Sequence, residues 1–166
     1  QASQPQPFAP ASPMQQASKV EKMLIETVIR HGGEVILPDV EDETSGQHFD
    51  LNVAQYIAYD LAQDQLAFSD PLYNRILAEA VEQSEKGPFD AGKYFRHHPD
   101  IEIQTLAASM STDAYQLSES LQMKESVERL RDTVVHLVMD FRLDYIEHQL
   151  KVLQERLKKA LAIGIS

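Results

Sequence analysis

Apolar residues recur at helical spacing over most of the chain, and the breaks in that rhythm divide it into elements. Val20, Met23, Leu24, Thr27 and Val28 step by three and four, which predicts a helix with one buried face. Ser18 and Glu21 stand three apart ahead of this run and predict a capping box, and Gly32-Gly33 predicts the helix end. "EVIL" and "QHFDL" flank an acidic loop from Asp39 to Gly46, predicting a small β-hairpin within residues 35–51 whose loop is longer than tight hairpins use. Val53, Ile57 and Leu61, with Tyr56 beside them, mark a second helix. A third opens with Asp70 as cap and Pro71 in its first turn. Pro99 biases His98 away from helical angles and starts a further helix with Ile103, Leu106 and Met110 on one face, Asp100 and Glu102 complementing the positive end of its dipole.

The last element is the longest. From Lys124 to Ala162 the chain contains neither Gly nor Pro, which at 1.5 Å per residue predicts a rod about 60 Å long. Its apolar positions fall in two registers. Val127, Leu130, Val134, Leu137 and Phe141 form the first, and Ile146, Leu150, Leu153 and Leu157 restart out of phase, so two different surfaces are expected to cover them. The fold class expected is mainly α: a helical bundle over residues 18–123, with the small hairpin, followed by a long carboxy-terminal helix over 124–166.

Residues 1–17 hold four prolines, five glutamines and two large apolar residues, too little apolar surface to offset the entropy of ordering them. This composition reads as a flexible linker to a portion upstream. Charge divides along the chain. Residues 1–123 carry 7 bases and 19 acids, residues 124–166 carry 8 bases and 7 acids, and the whole chain is at −11. That balance argues against a phosphate backbone as direct ligand, which would call for clustered Lys and Arg. The absence of cysteine excludes disulfides, thiolate metal sites and cysteine nucleophiles. No stretch approaches the roughly 18 apolar residues of a membrane span.

Candidate chemistry is sparse. His97 and His98 are adjacent, so on a helix they diverge by about 100°, and no cysteine accompanies them; helix punctuation is the stronger reading than metal ligation. His136, Asp140, Asp144 and His148 follow one another at four-residue steps, the one arrangement that a metal-dependent hydrolase could use. Each step drifts by about 40°, so the four cannot converge on one ion, and a solvated helix face is the better account. Ser109, Ser111 and Ser118 lack a nucleophile elbow, and no Gly-rich loop follows a strand. A self-associating coiled-coil protein is the other reading that the long apolar stripe allows.

Four blocks in order, "NVAQYIAYDL", "DPLYNRILAEAVEQ", "YFRHHPDIEIQTLAASMSTDAYQLSES" and "VVHLVMDFRLDYIEHQLKVLQERLKKA", resemble the carboxy-terminal region of bacterial DNA primases, above all the Bacteroidetes-type branch. The resemblance runs from about Lys19 to Ala160, and "HHPD" followed by a helix and "YQLSES" is its most specific piece. It implies a helicase-interaction domain: a helical bundle, a long helix and a helical hairpin that docks on the amino-terminal domain of the replicative helicase. It implies no catalysis and no cofactor in this segment, the parent primase being a cytoplasmic DNA-directed RNA polymerase whose chemistry lies in upstream domains. On the matching positions it implies an interface role for Ile146, Leu150, Lys151, Leu153 and Leu157. The family hairpin returns through a second helix, whereas this chain ends in "LAIGIS" after the first arm. A truncated hairpin, and a homodimer through the unpaired helix, are therefore also expected.

Overall fold

In the computed structural model of the chain, residues 18–111 and 119–164 are described. They form α1 (Lys19–His31), β1 (Val35–Glu41), β2 (His48–Asn52), α2 (Val53–Gln63), α3 (Pro71–Glu85), α4 (Ala91–Arg96), α5 (Ile101–Ser111) and α6 (Glu119–Ala162). The expected mainly α class holds, with the two strands as one small antiparallel sheet and α6 as a long terminal helix. The linker read over residues 1–17 lies outside the described residues.

Helix α1 is the hub, in contact with each of the other helices. Its buried stripe is Glu21, Leu24, Ile25, Val28 and Ile29, turned from the predicted one, because helices cover it from several directions and Met23 is left exposed. The capping box predicted at its start is half formed. Ser18 accepts from the Glu21 backbone N–H, but the Glu21 side chain turns into the core instead of back to the cap. The complete capping box belongs to α2, where the Asn52 side chain accepts from the Gln55 N–H and the Gln55 side chain accepts from the Asn52 N–H. At α3 the expected pair is present, Asp70 accepting from the Leu72 N–H with Pro71 behind it.

The hairpin forms with longer strands and a shorter loop than expected, because β1 continues to Glu41. Two register shifts between Val35 and Val40 admit the extra residues, and Asp39 sits in one of them at φ 58°. There its N–H donates to Asp50 Oδ1 and its carboxylate meets His48 Nδ1, so local bonds offset the unfavourable backbone angle. Ile36 of β1 enters the core, and Val35 and Phe49 remain exposed.

The first half of α6 completes the bundle. Val134, Leu137, Val138 and Phe141 are buried against it, while Val127, read into the same stripe, is exposed. The ring of Phe141 meets Phe68 edge-on at 5.7 Å, and Phe68 lies in the α2–α3 loop closed by reciprocal bonds with Asn74. Two arginines fasten α6 to the other elements. Arg131 donates to the Ile36 carbonyl at 2.9 Å, and Arg142 donates to the Asp60 carbonyl at 2.8 Å and to the carboxylates of Asp60 and Asp64. The surroundings of α6 thus change just past Arg142.

Candidate docking surface

The last buried side chain of α6 is Phe141, and from Leu143 onward every large apolar residue of the helix except the half-buried Val152 and Tyr145 is exposed. Ile146, Leu150, Leu153 and Leu157 are 53–60% exposed, and Lys151 beside them is exposed as well. The second register read from the sequence therefore lies beyond the bundle, and the first, apart from Val127 and the half-buried Leu130, lies within it. The change of register is the point where intramolecular cover ends.

Two members of the exposed face escape the sequence reading. Met139 and Leu143 are each 56% exposed, although they interleave with the buried Leu137, Val138 and Phe141. On a helix Met139 stands about 200° from both Leu137 and Phe141, so the two faces overlap along α6 on opposite sides. Spacing carried the signal, because steps of four and three run back from Ile146 to Leu143 and Met139. From 145 to 162 the helix carries four bases, Lys151, Arg156, Lys158 and Lys159, against the acids Glu147 and Glu155, so the apolar face ends in a basic tip.

The candidate metal series on α6 does not assemble. The N–H at His136 Nδ1 donates to the Asp132 carbonyl at 2.8 Å, and Asp140 is exposed. Among the described residues no group of three or more His, Asp or Glu side chains is placed to hold a metal ion.

The "HHPD" corner has a structural account of each polar group. α4 is capped by Asp90 and ends at His97, whose Nδ1 donates to the Lys93 carbonyl at 2.9 Å. His98 is buried. Its Nδ1 accepts the Asp100 N–H at 2.9 Å, so the proton resides on Nε2, which donates to Glu79 of α3 at 2.7 Å. Tyr94 donates to the same oxygen at 2.9 Å, and Arg75 joins the other Glu79 oxygen to Asp100. Burial pushes the Glu79 carboxyl up, but the bonds from His98 and Tyr94 outweigh it and leave the group below its ordinary value. Burial, with the Glu79 bond second, pushes the Tyr94 phenol up to about 12. Asp100 also accepts from the Glu102 N–H, so α5 begins two residues after Pro99, where the sequence placed its start. With both ring nitrogens of His98 engaged, the corner fastens α5 to α3.

Glu21 is the fully buried acid among the described residues. Its Oε1 accepts from the N–H and the hydroxyl of Ser69, while Oε2 is buried and has no hydrogen-bond partner among the described residues. Burial raises its pKa against the Ser69 bonds, and the charges of Asp70 and Asp144 raise it further. Among the described residues no helix is long and apolar enough to cross a membrane.

A family model described as "Domain of unknown function (DUF8430)" matches residues 9–163. Comparison with curated proteins and with solved structures returned no match.

Proposed function

We propose that this chain, which belongs to the DUF8430 family, is a non-catalytic docking module that binds a partner protein through the exposed face of α6. The observation that carries this reading is the apolar row from Ile146 to Leu157, with Lys151 at its side, on a helix that has already left its bundle at Arg142. Water is a poor neighbour for such a row, and its burial in a complex supplies the driving force. Taken with the primase resemblance, the occupant proposed is the amino-terminal domain of a replicative DNA helicase. The parent protein is then a bacterial, cytoplasmic DNA primase.

The mechanism is recruitment. Holding a tethered polymerase beside the helicase raises its local concentration where single strands emerge, an effect that depends on linker length and requires no reaction in this segment. The net charge of −11 supports a protein partner over a direct nucleic-acid contact. The hydrogen bonds that engage both nitrogens of His98 support a structural role for the "HHPD" corner.

Capture of the 166-residue chain by immobilised replicative helicase tests this reading. The paired substitution Leu150→Asp/Leu153→Asp places two charges in the row and is expected to reduce capture at least tenfold while far-UV circular dichroism stays unchanged. Equal capture of both chains would remove these leucines from the interface.

A further inference from the structure

Met139, Leu143, Ile146, Leu150, Leu153 and Leu157 are separated by steps of four, three, four, three and four, and the next step of three falls on Ala160. The alternation is unbroken for three heptads, and the six large residues are all more than half exposed. A helix that only lies on a bundle shows a broader stripe at a period of 3.6, as Val134, Leu137, Val138 and Phe141 do on the opposite side of this one. A strict four-three row is the narrower seam by which two helices interlock.

Charge selects both the occupant and its direction. The basic tip, with Arg156, Lys158 and Lys159, lies at one end of the seam. Asp140, Asp144 and Glu147 lie at the other, next to a bundle in which acids outnumber bases. A parallel pair would set tip against tip and acidic bundle against acidic bundle. An antiparallel pair centred between Leu150 and the second copy's Leu153 places Ile146 across from the second copy's Leu157, and Leu143 across from its Ala160. Each basic tip then reaches the acidic root of the other chain. At the seam's borders this register sets Glu147 near the second copy's Gln154 and Gln149 near its Arg156, so no like charges meet.

We propose that the exposed face of α6 is the interface of an antiparallel homodimer, in which a second copy covers the seam until a partner displaces it. The displacement step rests on the docking reading above; the dimer does not. Residues used in both are the same, so dimer and docked complex exclude one another.

Sedimentation equilibrium of the full chain at tens of micromolar is expected to give twice the 18.8 kDa of one chain, and Leu150→Asp/Leu153→Asp to give a single chain's mass with helicity retained. Lys158→Glu/Lys159→Glu leaves the apolar seam intact and is expected to weaken association severalfold at low salt, less at high salt. The chain has no cysteine, so a spin label at Lys159→Cys reports direction. The antiparallel register separates the two labels by about 23 Å along the helix axis, whereas a parallel pair sets them side by side. A monomer at about 100 µM, a dimer untouched by the paired aspartates, or labels side by side would each overturn the proposal. A monomeric chain that helicase still captures removes the dimer and leaves docking; a dimer that helicase never captures does the reverse.

Discussion

Glu21 shows how a single side chain can be chosen against its local signal. Its position three residues after Ser18 fits a capping box, and only Ser69, 48 residues later, explains why it turns inward. No local pattern in the sequence could reveal that contact. Because its folded pKa is raised, mainly by burial, the folded state holds the proton more tightly than the unfolded chain does. Its contribution to stability is therefore complete below the ordinary glutamate value and is lost as pH rises through the elevated folded one. Glu21→Gln keeps an acceptor for Ser69 without the charge. It is expected to stabilise the chain at pH 7 by on the order of 1 kcal/mol in urea denaturation, with the gain gone below about pH 4. A loss at pH 7 would mean that the carboxylate is better solvated than its surroundings imply. Tyr94 gives a second titration. Its phenol, pushed up to about 12, is expected to ionise in the folded protein well above the ordinary tyrosine value of about 10, as ultraviolet difference spectra at 295 nm would register. Stability from Tyr94 is present below about pH 10 and is lost as pH rises towards 12.

At the scale of elements, most of the fold is legible because each signal is local. Asp70-Pro71 starts α3, Val53, Ile57 and Leu61 mark the buried face of α2, and Ile103 and Met110 that of α5. What misleads is whatever depends on a distant neighbour. Gly33 reads as a helix stop, yet its role is proximity: a Cβ there would overlap the Phe89 carbonyl oxygen, so the chain after α1 passes against the α3–α4 loop. Gly33→Ala is expected to cost more than about 2 kcal/mol, through a backbone shift that thermal unfolding would detect. Asn52 escapes a local reading because it is at once the last residue of β2 and the cap of α2, with no loop between them. Asn52→Ala removes the α2 box and the bond to Ser84, and is expected to cost about 1–2 kcal/mol. A cost near zero would show that water replaces both bonds.

Across the whole molecule, α6 is one helix with two environments. The sequence disclosed that much, since the register breaks between Phe141 and Ile146. It did not disclose Met139 and Leu143, because a stripe already assigned to the core obscures a second stripe on the reverse side of the same turns. Lysines and arginines on the two halves give a protease test. Lys151, Arg156, Lys158 and Lys159 are exposed beyond the bundle, while Arg131 and Arg142 are held by carbonyls and carboxylates. Limited trypsin digestion of the monomeric Leu150→Asp/Leu153→Asp chain is expected to trim the tip first, with cleavage at Arg142 much slower. Early cleavage at Arg142 would mean that its bonds to Asp60 do not hold the root of the helix.

Those bonds also have a mechanical side. From Arg142 to Ala162 is about 30 Å of continuous helix, so a sideways pull at the tip acts on the Arg142 pivot with a long lever, whereas a pull along the axis does not. Whatever grips the far end can thereby apply torque to the turn that carries Leu137, Val138 and Phe141, and bending strain introduced there passes directly into the centre of the bundle.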